Sequence, residues 1–158
     1  MATHEFTPAA GCNGEPLVTD PFQFDGGGTG ERLQTAANWT ALAALTGVDW
    51  IANGPANTLA VQLLGPSGGT CTLVVAEFKA ASVSVANFLS VREYSFLSAE
   101  QTFDLDESIY GLSSSDSPAK QPIYPRVTPW AYSMLFLSAK SGDSWYAWCQ
   151  LLKELATG

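Results

Sequence analysis

Positive charge is scarce in this 158-residue sequence. Seven Lys and Arg residues stand against 15 Asp and Glu, which gives a formal net charge of −8, and only 14% of the residues are charged. A protein that binds nucleic acid needs a basic patch, because much of its affinity comes from displacing counterions at the phosphates. We therefore expect no nucleic-acid partner.

Histidine and cysteine are also rare. His4 is the only histidine, and Cys12, Cys71 and Cys149 show no C-x-x-C spacing. These residues are too few for a zinc site and odd in number for a disulfide framework, so reduced, buried thiols are expected. A Ser-His-Asp or Cys-His site would depend on a histidine four residues from the start. The sequence predicts no metal, no cofactor and no enzymatic activity.

Long apolar runs are missing as well. The longest, such as residues 73–76, are far shorter than the roughly 18 residues that cross a bilayer. The first residues carry Glu5 where a signal peptide has Lys or Arg, and no apolar stretch follows. The sequence thus predicts neither a membrane span nor a signal peptide.

What the sequence does have is short stretches of alternating apolar and polar residues, separated by glycine and proline. Alternation predicts strands at 58–63, 70–79, 87–98 and 131–139, with weaker ones at 82–86 and 102–105. Turn residues at 65–69 predict a hairpin that joins the strands at 58–63 and 70–79. Turn residues at 140–143 predict a second hairpin, between the strand at 131–139 and a returning strand at 144–155. The predicted class is all-β: an antiparallel β-sandwich or jelly-roll-like fold with an extended N-terminal arm and at most one short helix.

Two segments are ambiguous in this pattern. Residues 32–46, followed by Gly47, fit a helix with its C-terminal glycine and fit a strand with a turn equally well. Residues 145–155 alternate like a strand, which we favour, although their last six residues also suit a helix.

The chain divides into an arm and a domain. Residues 1–31 are rich in glycine and lack periodicity, and their aromatic residues Phe6, Phe22 and Phe24 are predicted to anchor this arm to a surface. Residues 32–158 form the β-sandwich domain. It includes a proline-rich strap at 113–129, which we expect to be extended and outside the strand ladders.

Two polar features could carry chemistry, and each has a plainer interpretation. The glycine-rich loop at 26–30 lacks the lysine of a phosphate-binding loop and is interpreted as a flexible loop. Asp104, Asp106 and Glu107 form the densest carboxylate cluster. We interpret this cluster as a solvated turn, with a Ca²⁺ site or glycosidase chemistry as the alternatives.

The strands of the last predicted hairpin carry apolar residues on both faces, and so does the strand predicted at 70–79. A strand in a lone sandwich needs only one apolar face, so the second face is predicted to meet another subunit. The alternative is a central sheet covered by its own chain. The candidate subunit-facing residues, besides the three arm anchors, are Tyr132, Met134, Tyr146 and Trp148.

In size, low charge, arms and Gly-, Ser- and Thr-rich strands, the chain resembles the small β-sandwich modules of bacteriophage virions, such as capsid decoration proteins and head-fibre modules. The resemblance implies a homotrimer that clamps neighbouring capsid subunits without performing chemistry. It also implies assembly into virions in the cytoplasm of a bacterial host.

Five Trp and five Tyr support a different hypothesis, a carbohydrate-binding β-sandwich module, because flat aromatic faces stack on sugar rings. The two hypotheses differ in one structural expectation. A sugar-binding module exposes its tryptophans, whereas an assembly module shields them.

Overall fold

The computed structural model describes residues 3–5, 22–24, 33–45, 47–65, 68–96, 122–142 and 145–153. In chain order the elements are β1 (Thr3–Glu5), β2 (Phe22–Phe24), the helix α1 (Trp39–Ala44), β3 (Trp50–Ala52), β4 (Thr58–Leu64), β5 (Cys71–Phe78), β6 (Phe88–Phe96), β7 (Tyr132–Lys140) and β8 (Tyr146–Leu152). No helix in these ranges is long and apolar enough to cross a membrane.

The strands form two sheets. One has five strands in the order β1-β3-β7-β5-β6, and the other has three in the order β2-β8-β4. Neighbouring strands are antiparallel, apart from the parallel pair of β1 and β3. The predicted all-β, sandwich-like class is confirmed, and α1 is the one helix in the described part of the chain.

The two turns that were predicted to close hairpins instead carry the chain from one sheet to the other. β4 and β5 lie in different sheets, and so do β7 and β8, so both hairpin predictions are wrong. Because β4 pairs with β8 and β5 pairs with β7, the two crossings run side by side. Consecutive strands form a hairpin at β5 and β6.

Contacts between these two connections explain why the chain passes to the other sheet at each of them and does not form a hairpin. The backbone N–H of Ser141 donates to the Thr70 carbonyl at 2.8 Å, and the N–H of Thr70 donates to the Ser141 hydroxyl at 2.9 Å. Trp145 is fully buried, and its indole N–H donates to the Ser141 carbonyl at 3.2 Å. A Cβ atom at Gly65 would lie only 2.3 Å from the Trp145 ring, so this approach requires glycine.

β4 and β8 pair along their whole length and contribute many buried side chains to the core. Every residue of β4 is buried, whereas β8 alternates between buried and half-buried residues. The register places Leu59 opposite Leu151 and Val61 opposite Cys149, and all four side chains are inaccessible to solvent. The favoured prediction of a strand in 145–155 is confirmed over 146–152.

The ambiguous segment at 32–46 contains an extended stretch and then a helix. Thr35 forms a parallel bridge with Leu137, and the Ala36 N–H donates to the Leu137 carbonyl at 2.8 Å. The helix α1 begins after Asn38. The side-chain oxygen of Asn38 accepts a hydrogen bond from the N–H of Ala41 at 2.9 Å and so caps the N-terminal end of the helix.

Residues 122–127 of the strap run along the edge of β4. The Val61 and Ile123 backbones exchange two hydrogen bonds of 2.9 Å, and the Leu59 N–H donates to the Pro125 carbonyl at 3.0 Å. The strap is therefore extended, as predicted, but it contributes isolated bridges to the sheet, contrary to the expectation that it stays outside the ladders. Residues 113–121 lie outside the described ranges.

Short segments of the predicted arm belong to the sheets, because β1 pairs with β3 and β2 pairs with β8. The strand predicted at 82–86 is wrong. Those residues turn, with the Asn87 N–H donating to the Ser84 carbonyl at 3.2 Å, and β6 begins at Phe88. The strand predicted at 102–105 falls in a part of the chain that the structure does not describe.

Candidate functional site

The side chains predicted to face a neighbouring subunit do not form one surface. Phe24 and Met134 are buried within the single chain, Phe22, Tyr132, Tyr146 and Trp148 are half-buried, and Phe6 lies outside the described residues. A side chain buried by its own chain offers no area to a partner. Phe24 and Met134 therefore belong to the core of the single chain.

The second apolar face of β5 is also covered from within. Val74, Ala76 and Phe78 are at most 2% exposed, and the segment with α1 lies over them, with the Trp39 and Phe78 ring centroids 6.2 Å apart. For β5, the structure thus shows the alternative of a sheet covered by its own chain. Apolar surface available to a partner has to be sought elsewhere.

Both cysteines in the described ranges are buried. Cys71 and Cys149 are thiols outside any disulfide, and burial raises the pKa of the Cys149 thiol, so it stays protonated near neutral pH. Among the described residues, no group of three His, Cys, Asp or Glu side chains could hold a metal ion. Cys12 and the cluster of Asp104, Asp106 and Glu107 fall outside those residues.

Two carboxylates, Asp49 and Glu77, are buried among the described residues, and hydrogen bonds from the fold surround that of Glu77. Glu77 is 4% exposed; its oxygens accept from the Ser90 hydroxyl at 2.7 Å and from both the N–H and the hydroxyl of Thr128. Beside it, the Ser133 hydroxyl donates to Asn53 Oδ1 at 2.8 Å, and Asn53 Nδ2 donates to the Thr128 carbonyl at 2.9 Å. This network fastens the end of the strap to the five-stranded sheet.

The turn that the network holds in place, residues 128–131, presents an exposed tryptophan. The Ala131 N–H donates to the Thr128 carbonyl at 3.2 Å, which closes the turn. Its third residue, Trp130, has φ 66°, and its side chain is 76% exposed. The Trp130 N–H donates to the Gly54 carbonyl at 2.7 Å, so a second turn supports the first.

An apolar groove opens beside α1, on the face of the five-stranded sheet that this segment covers. Its volume is about 200 Å³, and its floor is formed by Ala36, Leu42, Val74, Ala76 and Phe136. We call it the Trp39 groove, after the residue on its rim. These floor residues are at most 6% exposed, so the apolar area that solvent reaches lies mainly on the rim of the groove.

Aromatic and charged side chains form the rim of the Trp39 groove. Trp39 meets Phe88 edge to face, with ring centroids 5.7 Å apart, and Phe88 lies 5.9 Å from Phe78. Trp39, Phe88 and Val91 are 37%, 38% and 50% exposed. Glu93 follows Val91 on the same side of β6 and completes the rim.

β6, which supplies three of the four named rim residues, is one of the two outer strands of the five-stranded sheet within the described part of the chain. Exposed strand edges invite pairing, and charged residues and bulges oppose it. The middle of β6 carries the exposed residues Arg92 and Glu93, and the register with β5 shifts near Leu89. The backbone edge of β6 is therefore protected against pairing with another strand. The apolar side chains that β6 presents beside the groove are more accessible to a partner than this edge.

The two hypotheses predict different exposure of the tryptophans, and the structure contains both shielded and exposed ones. Trp50 and Trp145 are shielded at 2% and 0% exposed, and Trp148 is half-buried, as an assembly module predicts. Trp130 is openly displayed, as a sugar-binding module predicts. The special position of Trp130 was missed in the sequence, although Thr-Pro-Trp-Ala contains the proline of a turn.

Comparison of the chain with protein families, with curated proteins and with solved structures finds no match.

Proposed function

We propose that this chain is a non-enzymatic structural protein that works by associating with copies of itself within a larger assembly. The observation that carries the proposal is the Trp39 groove, an apolar recess beside the exposed side chains of Trp39, Phe88 and Val91. Concave apolar recesses lined by aromatic side chains are common binding sites.

The specific form of this proposal is the role that the resemblance to virion modules implies. A decoration protein that clamps capsid subunits needs contact area, and it needs no reactive group. Contacts repeated over many copies add avidity even where each contact is small. The low charge of the chain favours such contacts, because few ionic side chains would have to be desolvated.

Light scattering on the purified chain tests the proposal. Association gives a mass that is a multiple of 16.8 kDa and rises with concentration. Val91→Lys places a charge on the groove rim and should lower the average mass. The matched control is Ser95→Lys, an exposed residue of the same strand that does not line the groove. A wild-type mass of 16.8 kDa up to millimolar concentration would refute self-association.

A second candidate is the carbohydrate-binding module, which the exposure of Trp130 (76%) and Tyr124 (54%) favours. Its test is tryptophan fluorescence of the wild type and of Trp130→Ala, titrated with chito-, cello- and xylo-oligosaccharides. Sugar binding at Trp130 gives a saturable shift that the variant loses. A spectrum that none of these sugars changes counts against this candidate.

A further inference from the structure

Trp130 adopts a backbone conformation that does not suit its residue type. A positive φ after Pro129 matches the third position of a type II turn, where glycine or asparagine is usual. A bulky side chain is strained there. The indole is 76% exposed, so packing within the chain offsets little of that strain. Because the strained position holds a tryptophan whose side chain gains little from packing within the chain, we expect that side chain to make its contact outside the chain.

Hydrogen bonds hold the turn that contains Trp130 in one conformation. Besides the bond from Trp130 to Gly54, the Asn53 N–H donates to the Ala131 carbonyl at 3.0 Å, and Asn53 Nδ2 donates to the Thr128 carbonyl. Glu77 and Asn53 are themselves buried at 4% and 0% exposed. A side chain on such an ordered turn loses little backbone conformational entropy on binding, which favours affinity.

The polar groups near Trp130 indicate what kind of ligand it contacts. The side chains of Asn53, Ser133 and Thr128 hydrogen-bond to one another or to Glu77, on the inner side of the turn. A sugar site needs polar groups that converge beside the ring, and these groups are already engaged. An apolar pocket with one hydrogen-bond acceptor fits the indole better, because it is an apolar ring system with one N–H donor.

The Trp39 groove has these properties. A cavity of about 150 Å³ holds a benzene ring, so a groove of about 200 Å³ has room for a larger ring system. Its floor is aliphatic and aromatic. Glu93 and Ser138 line it as well, and either one can accept a hydrogen bond from an indole N–H.

We propose that Trp130 of one copy of this chain inserts into the Trp39 groove of a second copy. This inference rests on the proposed self-association and names the surfaces that meet. The turn and the groove are formed by different residues, so each copy contributes a tryptophan to one contact and a groove to another.

A mixing experiment tests the pairing of these two surfaces. Trp130→Ala removes the tryptophan and keeps the groove, and Val91→Lys obstructs the groove and keeps the tryptophan. Each variant alone should show at least a roughly thirtyfold higher Kd for self-association, the loss typical of a hot-spot tryptophan. An equimolar mixture should form pairs of twice 16.8 kDa, because one intact contact is restored. Ser95→Lys is the control, and thermal unfolding checks that every variant is folded.

A photo-crosslinking residue at position 130 gives a second measurement. Replacing Trp130 by benzoylphenylalanine should yield crosslinks to the groove residues of a second copy, in the segments 36–42, 74–76, 88–93 and 136–138. Variants that still associate like the wild type, or crosslinks to other segments, would overturn this inference and leave the proposed function standing. A wild type that never associates would overturn both, and a sugar-dependent fluorescence change lost in Trp130→Ala would then assign Trp130 to a glycan.

Discussion

At position 130, glycine should be more stable than alanine, which reverses the usual order. Both Trp130→Gly and Trp130→Ala remove the indole, so the difference between them isolates the positive φ of 66°. A left-handed backbone costs a non-glycine residue about 1–2 kcal/mol. Glycine loses about 0.4–1 kcal/mol more chain entropy on folding. The midpoints of these two ranges favour Trp130→Gly over Trp130→Ala by about 0.8 kcal/mol.

Urea and thermal unfolding measure this difference, at a protein concentration low enough for the chain to be alone. For a chain of this length, about 1 kcal/mol shifts the Tm by roughly 2–4 °C. The control is the pair Ser95→Gly and Ser95→Ala within β6, where glycine should be the less stable by about 0.5–1 kcal/mol. If Trp130→Ala unfolds at the same urea concentration as Trp130→Gly, or at a higher one, the turn is unstrained and the argument for an external contact loses its first step.

Three further predictions concern the fold that supports this turn. Glu77→Ala should lower the free energy of unfolding by about 1–3 kcal/mol, because it removes the charged acceptor of three hydrogen bonds from the partly buried donors of Ser90 and Thr128. Urea unfolding measures this change. The control is Glu93→Ala, at an exposed site, which should stay within about 0.5 kcal/mol of the wild type. Gly65→Ala should lower the Tm, because the added Cβ meets the Trp145 ring. Adding Trp145→Phe to the same chain should restore part of the lost Tm, because the phenyl ring is smaller than the indole. Equal Tm values for Gly65→Ala and wild type would show that the ring moves freely. The Cys149 thiol should react with a maleimide only as the protein unfolds, since burial both excludes the reagent and raises the thiol pKa; prompt labelling of Cys149 in the native protein, detected by peptide mass, would contradict its placement.

The class of fold could be predicted because alternation is a local property. Residues such as Leu59, Val61 and Leu63 mark a strand whatever that strand pairs with. The connection between sheets could not be predicted in this way. Gly65 and Gly142 suit a tight turn, and they suit equally a crossing in which the chain passes to another sheet. What separates the two outcomes is the packing of Trp145 on Gly65, a contact between residues 80 positions apart.

The apolar second face of β5 shows the same limit. Val74, Ala76 and Phe78 indicate that something covers this face, and the sequence cannot say whether it is another subunit or another segment. The structure assigns that role to residues 33–45, the segment whose secondary structure was ambiguous. A short helix capped by Asn38 covers more of the sheet than its length suggests, because the aromatic ring of Trp39 extends its reach.

The exposed surface was the least predictable part. Trp130 and the Trp39 groove are built from segments far apart in the chain, and neither contains a recognisable motif. The strain at Trp130 depends on a φ angle, which no composition reveals. The side chains predicted to face a partner were chosen for being apolar, and being apolar also placed Phe24 and Met134 in the core.

The position of β8 has a consequence for how the protein is made. The last described strand is the middle strand of the three-stranded sheet, so β2 and β4 have no common neighbour until residues 146–152 have left the ribosome. Until then, the nascent chain holds the apolar strand β4 without the strand that pairs with it. Productive folding of this sheet thus waits for the synthesis of β8, and a ribosome stalled before residue 146 would display a strand prone to wrong pairing and to capture by chaperones.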